Sequence, residues 1–160
     1  MGGTLTKNGI GTLTLGGTVT SFTGGIVLNN GAIAFTGAAP AATIMTWNDG
    51  TIHFDPDDYE TVALSGALTK GTGSTFAFDF LNFNATAQGT FTLMNFASTT
   101  FTDVSDFSAS NITYDAGLSG QFVLNADSLQ FAVIPEPSTY ALLLGIFTFG
   151  LLLWRKRKTL

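Results

Sequence analysis

Cysteine is absent from this 160-residue chain, so neither disulfide bonds nor thiolate metal sites can stabilise its fold. Histidine occurs once, at His53. We therefore predict neither a multi-histidine metal site nor a histidine-based catalytic dyad, and we expect His53 to lie on a strand face. Proline occurs four times, and two of these residues flank Glu136 in the segment Pro135-Glu136-Pro137.

Positive charge is scarce over most of the chain. Before residue 155 the cations are Lys7 and Lys70, whereas all eleven acidic residues lie in that part. An acidic body of this kind excludes nucleic-acid binding, because phosphates require a basic patch. The other four cations follow one another near the C-terminus as Arg155, Lys156, Arg157 and Lys158.

An uncharged apolar run of 17 residues, 138–154, directly precedes these four cations. As a helix it would be about 25 Å long, slightly less than a hydrocarbon core of about 30 Å. Tyr140 and Trp154 would serve as interfacial anchors, and the basic residues would extend toward the headgroups. The run therefore predicts a transmembrane helix at 138–154 with its basic end in the cytoplasm and the body outside.

The three blocks at the C-terminus, a Pro-Glu-Pro motif, an apolar span and a basic end, resemble the PEP-CTERM sorting signal of bacteria. The resemblance covers residues 134–160. It implies that Pro135, Glu136 and Pro137 form the recognition motif for the processing enzyme exosortase, and that the span holds the precursor in the membrane. The two prolines also restrict the backbone to extended geometry, which suits presentation to a protease-like cleft. The alternative is an ordinary linker before a plain membrane anchor.

The first 35 residues alternate Thr with Leu, Val, Ile or Phe and are interrupted by Gly and Asn turns. Strands this short cannot bury an apolar face alone, so we expect them to stack, with Leu13, Leu15, Ile33 and Phe35 pointing inward. The stretch resembles the autotransporter-associated β-strand repeat, which implies a parallel β-helix for a domain at 1–37.

The next region, 38–133, is expected to continue or cap this solenoid. Residues 67–73, ALTKGTG, partly repeat the first strand and predict a further rung. The turn Asn48-Asp49-Gly50 predicts a hairpin between strands at 44–47 and 51–54. Period-2 alternation predicts strands with buried Phe faces at 75–81, 91–94, 121–124 and 128–133. The predicted fold class is thus an all-β body, parallel β-helix or solenoid-like with short stacked strands, plus one C-terminal transmembrane α-helix.

Acidic residues provide the remaining candidates for chemistry. The turn Asp55-Pro56-Asp57-Asp58 offers oxygen ligands for Ca²⁺, but it lacks the spacing of a calcium loop, so a solvated turn is favoured. Paired carboxylates, either Asp103 with Asp106 or Asp57 with Glu60, resemble a glycosidase acid and nucleophile. No Arg or aromatic platform accompanies them, and we predict no enzyme activity, no catalytic residues, no metal and no cofactor.

Two function classes follow. The first is a non-enzymatic, exported surface or extracellular-matrix protein, held in the inner membrane as a single-pass precursor before exosortase releases it, with exopolysaccharide as a candidate partner. The second is the C-terminal fragment of a carbohydrate-binding or polysaccharide-degrading surface protein. The first 15 residues show no basic and apolar leader. We therefore expect either a longer precursor or a start that lies upstream.

Overall fold

Fourteen β-strands form almost all of the regular structure in the part of the chain that is described. The computed structural model describes residues 2–16, 23–36, 42–55, 61–136, 142 and 144–149. The alternation of apolar and polar side chains in the sequence reappears as an alternation of buried and exposed residues along these strands. In β9, Phe76–Ala85, the buried side of the strand consists mainly of Phe.

Two parallel sheets contain ten of the strands. The first parallel sheet has the order β1-β3-β5-β8-β11. Its strands are Leu5–Lys7, Ile26–Leu28, Met45–Trp47, Ala67–Lys70 and Ser98–Thr99. The second parallel sheet has the order β12-β9-β6-β4-β2. Its strands, in chain order, are Thr12–Gly16, Ala32–Thr36, Gly50–Phe54, Phe76–Ala85 and Phe107–Tyr114. Up to β6 the chain alternates between these two sheets, and from β7 onward it also passes through a third sheet before it returns to the first.

A third, mixed sheet has the order β13-β14-β10-β7. Its strands are Val62–Ala63 (β7), Gly89–Asn95 (β10), Leu118–Leu124 (β13) and Ser128–Pro135 (β14). β7 and β10 are parallel, whereas β14 is antiparallel to both β10 and β13. The hairpin β13–β14 thus replaces the parallel stacking with antiparallel pairing at the C-terminal end of the body.

The corners between the two parallel sheets are held by a ladder of asparagine side chains. Asn29 donates through Nδ2 to Asn8 Oδ1 at 2.7 Å, and Asn48 donates to Asn29 Oδ1 at 2.6 Å. The ladder ends at Gly71, where a Cβ would lie 1.8 Å from Asn48 Oδ1. Asparagine therefore occupies the same position in three successive corners, and glycine occupies it in the fourth, where the ladder ends.

The core lies between the sheets and is largely aromatic toward its C-terminal end. Trp47 is fully buried, contacts Phe76 and Phe78 edge-on at centroid distances of 5.6 and 5.4 Å, and donates through Nε1 to the carbonyl of Gly50 at 3.2 Å. The ring centroid of Phe131, on β14, lies 4.8 Å from that of Phe80. Each buried Phe contributes about 1.5–3 kcal/mol, which compensates for the absence of disulfide bonds.

Most predicted strands are confirmed. Strands lie at each of the four Phe-rich segments, and the predicted further rung at 67–73 is β8. Ile33 and Phe35 are buried as predicted. Leu13 and Leu15 are only half-buried, because β2 is the outermost strand of its sheet among the described residues.

The predicted hairpin around Asn48-Asp49-Gly50 is wrong. β5 pairs with β3 and β8 in the first parallel sheet, whereas β6 pairs with β4 and β9 in the second. The turn is therefore a corner between sheets. Gly50 has φ +103°. Its amide donates to the carbonyl of Thr75 in the next corner, and its carbonyl accepts from Trp47 Nε1.

Near the C-terminus, Leu142 and residues 144–149 are helical. Within the described stretches, no helix has both the length and the apolar character needed to cross a membrane. Most of the span predicted at 138–154 lies outside the described residues.

Candidate functional site

An open groove of about 450 Å³ runs over the outer face of the second parallel sheet. The inward positions of these strands are taken by Ile33, Ile52 and Phe78, so the alternating residues point outward. Those outward residues are short or polar, and residues of the adjacent corners border the groove. Its lining is Ile10, Thr12, Asn30, Gly31, Ala32, Asp49, Gly50, Thr51, His53, Thr75, Asp79 and Ser110.

The groove contains one charged cluster, centred on Asp79. The strand register places His53, Asp79 and Ser110 side by side on β6, β9 and β12. His53 Nδ1 lies 3.4 Å from Asp79 Oδ2, and Ser110 donates through Oγ to Asp79 Oδ1 at 3.2 Å. Asn111 donates through Nδ2 to the same Oδ1. Its backbone is left-handed, with φ +58°, where the register of β12 shifts between Ser110 and Ile112.

The geometry of this cluster differs from that of a serine catalytic relay. In a serine relay the hydroxyl donates to the histidine, and the carboxylate lies behind the histidine. Here the carboxylate of Asp79 lies between Ser110 and His53 and itself accepts the hydrogen bond from the Ser110 hydroxyl. Hydroxyl, carboxylate and imidazole groups on a shallow surface are suited to hydrogen bonding with a polar ligand.

The candidate carboxylate pair Asp103 and Asp106 has structural partners. Asp103 accepts from the Ser105 backbone N–H at 2.8 Å, at the start of a 3-10 turn at Val104–Asp106. This hydrogen bond, with that of the Ser105 hydroxyl, lowers the pKa of Asp103 below its usual 3.8. Asp106 pairs with Lys70, whose Nζ also lies 5.7 Å from the Phe76 ring. The ion pair between Lys70 and Asp106 therefore connects two corners. It gives no support to the glycosidase hypothesis.

The structure describes only part of the other predicted acidic sites, the turn at 55–58 and the pair Asp57 and Glu60. Asp55 lies just after β6, whereas Pro56, Asp57, Asp58 and Glu60 fall outside the described residues. In the part of the chain that the structure describes, no three His, Asp or Glu side chains come close enough to hold a metal ion.

Of the predicted Pro-Glu-Pro recognition motif, the structure describes only the first two residues, Pro135 and Glu136. Pro135 is the last residue of β14 and pairs with Leu118, and the Glu136 backbone N–H donates to Gly117 O at 2.8 Å. The boundary predicted between 133 and 134 therefore falls within β14. Seven other residues that the sequence analysis names in the sorting signal lie outside the described residues, namely Pro137, Tyr140, Trp154, Arg155, Lys156, Arg157 and Lys158.

Sequence reasoning did not single out Asp79 or Ser110. The signal for Asp79 was present, because it is the one charged residue in the alternating segment 76–80 and must point away from the phenylalanines. Its pairing with His53 depends on the register between β6 and β9, which no local pattern specifies.

Comparisons with protein-family models, with curated proteins and with solved structures yield no match.

Proposed function

We propose that this chain is an exported, non-enzymatic structural protein of the cell surface or extracellular matrix. Its body is a parallel β-helix, and its C-terminal segment is a sorting signal comprising a transmembrane α-helix and a basic end. Exosortase processes the membrane-held precursor near Pro135-Glu136-Pro137. The resemblance of residues 134–160 to the PEP-CTERM signal supports this assignment, together with the order of its three blocks.

The observation that carries the proposal is the exposure of the apolar helical residues near the C-terminus. Five large apolar side chains of this segment are each 62–70% exposed, namely Leu142, Leu144, Ile146, Phe147 and Phe149. Large apolar side chains thus lie on opposite sides of this helical segment, and its other described residues are Gly145 and Thr148. A helix that is apolar on every side is stable in hydrocarbon or in a protein core, and here no described part of the body covers it.

The body supports a structural role through its regularity. Successive strands stack in parallel, one asparagine position recurs at three corners, and the interior is filled with Phe, Ile and Leu. Stability in such a stack arises from contacts between neighbouring rungs, which suits an elongated spacer between a membrane and the exterior.

Processing is tested by mass spectrometry of the mature C-terminus in a host that contains exosortase. We expect wild-type protein to lose Arg155–Lys158. Pro135→Ala combined with Pro137→Ala restores backbone freedom and an N–H at both positions, so processing should fail while membrane insertion persists. Pro40→Ala combined with Pro56→Ala is the matched control and should be processed normally. An intact Leu160 on exported wild-type protein would contradict the sorting function.

Anchoring is tested separately by membrane fractionation of the precursor. Gly145→Asp and Leu151→Asp should each cost about 2.5–3.5 kcal/mol of insertion, so the double variant should leave the membrane. Gly145→Ala with Leu151→Ala controls for the loss of the native side chains and should remain embedded. A membrane-bound double aspartate variant would show that the span is wrongly placed.

A second candidate, a carbohydrate-binding module, is favoured by the polar groove around Asp79. Sugar hydroxyls can donate to a carboxylate and accept from Asn and Ser. Binding of the full chain to the exopolysaccharide of its host should fall for Asp79→Asn and should be retained for Asp115→Asn, an exposed carboxylate remote from the groove lining. Equal binding by both variants would exclude the groove as the site.

A further inference from the structure

Lys70 and Asp106 form an ion pair between the two parallel sheets, although they are 36 positions apart in the sequence. Lys70 is the last residue of β8, in the first parallel sheet, and Asp106 ends the 3-10 turn that leads into β12 of the second. Nζ of Lys70 donates a hydrogen bond to Oδ1 of Asp106. Cγ of Asp106, one bond beyond Oδ1, is therefore held next to the amine nitrogen.

The surroundings of this ion pair contain little that can solvate its charges. The rings of Phe76 and Phe101 lie 5.7 and 5.9 Å from Nζ, near the outer limit of about 6 Å for a cation–π interaction, and both residues are buried. The rings exclude water from one side of the pair and attract the cation only weakly. Oδ2 of Asp106 is buried and accepts no hydrogen bond from any described residue. A carboxylate oxygen in this position is costly, and the cost falls when the group becomes a neutral amide.

Lys7 provides a comparison within the same chain. The strand registers of the first parallel sheet place Lys7 and Lys70 at corresponding positions on β1 and β8. Nζ of Lys7 donates to three backbone carbonyl oxygens, and it forms no ion pair with a described carboxylate. Packing of a lysine at this strand position therefore does not require an acid, and Asp106 gives Lys70 a partner that Lys7 lacks.

We propose that Lys70 and Asp106 condense within the folded chain to an isopeptide bond, an amide between Nζ and Cγ. The fold holds the two groups in contact, so the reaction is intramolecular and needs no activating enzyme. The bond joins the two parallel sheets covalently in a chain without cysteine. It lies in the body of the molecule and does not depend on the proposed sorting function.

The reaction balances without an oxidant, a reductant or a co-reactant. Nζ of Lys70 first passes one proton to Oδ1 of Asp106 across their hydrogen bond, which gives an uncharged amine and an uncharged carboxylic acid. The lone pair of the amine then forms a bond to Cγ, and the bond between Cγ and Oδ1 breaks with its electron pair on the oxygen. Of the three Nζ protons, one remains in the amide and two leave with Oδ1 as water. Oδ2 becomes the carbonyl oxygen of the amide.

Trypsin digestion and mass spectrometry test the bond on the full chain, made in a host without exosortase. Lys70 is the only trypsin site between Lys7 and Arg155. Trypsin does not cleave after an acylated lysine, so denatured wild type should give one fragment, 8–155. Its intact mass should be lower by one water molecule than the sequence requires. Chymotrypsin should then release a branched peptide that contains both Lys70 and Asp106.

Three variants identify the residues that form the bond. Lys70→Arg keeps the positive charge and the trypsin site, but its guanidinium stays protonated and cannot attack the carboxyl group. It should have the full mass and be cleaved after residue 70. Asp106→Ala should give the same result. Asp115→Ala removes an exposed carboxylate elsewhere and is the matched control. It should show the loss of water and the single fragment that wild type shows.

A wild-type chain with its full mass would overturn the proposal, whatever its trypsin pattern. A loss of water that persists in Lys70→Arg would also overturn it, because the dehydration would then lie elsewhere, for example in a succinimide at Asp49-Gly50. Both masses are measured on denatured protein. A variant that folds poorly therefore leaves the decisive wild-type measurement unaffected.

Discussion

At the scale of single residues, glycines determine how closely successive corners can stack, and Gly31 combines a positive φ with a close approach to another corner. Its φ of +78° is a conformation that residues with a side chain rarely adopt. A Cβ at this position would also lie 2.3 Å from the carbonyl oxygen of Gly9 in the preceding corner. Both backbone strain and steric overlap therefore oppose any other residue.

Three Gly→Ala variants separate these two effects. Gly31→Ala should lower the free energy of unfolding by more than about 3 kcal/mol, because it combines strain with overlap. Gly9→Ala has a similar φ, +74°, but open space around its Cβ, so it should cost about 1 kcal/mol. Gly3→Ala has neither problem and should be neutral. Chemical denaturation measures all three, and equal losses at Gly9 and Gly31 would rule out the overlap.

Asp103 gives a prediction about pH. Hydrogen bonds from Ser105 lower its pKa below 3.8, so its carboxylate stabilises the fold above the unfolded pKa. That contribution is lost as the pH falls through the lower folded pKa. Asp103→Asn should therefore have a shallower loss of stability below about pH 4 than wild type. Thermal unfolding from pH 2 to 6 measures the slopes, and identical slopes would show that the hydrogen bonds have no net effect.

At the scale of elements, the hairpin β13–β14 closes the aromatic core. Phe122 is half-buried and contacts Phe78, Phe107 and Phe131. β13 is an edge strand of the mixed sheet, and Phe122 packs against the core together with Leu118 and Leu124 of the same strand. Removing the Phe122 side chain should expose the C-terminal end of the core.

Phe122→Ala should lower the free energy of unfolding by about 2 kcal/mol, less than a fully buried Phe would lose, because the ring is partly exposed. Val104→Ala is the control, since Val104 is 41% exposed and should change stability by less than about 0.5 kcal/mol. Equilibrium unfolding in urea gives both values. A neutral Phe122→Ala would mean that the hairpin is held by its backbone pairing alone.

Individual strands could be predicted from the sequence, but their partners could not. The alternation of Phe with short or polar residues located β9, because burial on one face requires period 2. The turn Asn48-Asp49-Gly50 was also located correctly. It was assigned to a hairpin because local turn chemistry specifies a change of direction without specifying the partner strand. Trp47 pairs with Leu28 and Lys70, residues about twenty positions away on either side. The cluster around Asp79 was missed for the same reason.

At the scale of the whole molecule, the number of neighbouring strands varies from the centre of the stack to its ends. β5, β6, β8 and β9 have partners on both sides, whereas β1 and β2 have a described partner on one side. Because local opening needs fewer broken contacts at the ends, we expect amide hydrogen exchange to be slowest in the central strands and fastest in β1 and β2. Mass spectrometry of exchanged peptides measures this gradient. Uniform exchange would indicate that the stack opens only as one unit.

The position of β14 has a mechanical consequence. β14 lies between β10 and β13, is antiparallel to both, and ends at Pro135, directly before Glu136. A force applied at the C-terminal end and directed along β14 would load both hydrogen-bond ladders in shear, so that many bonds resist together instead of opening one after another. A pull on the C-terminal end is therefore resisted first by a strand that is hydrogen-bonded on both sides.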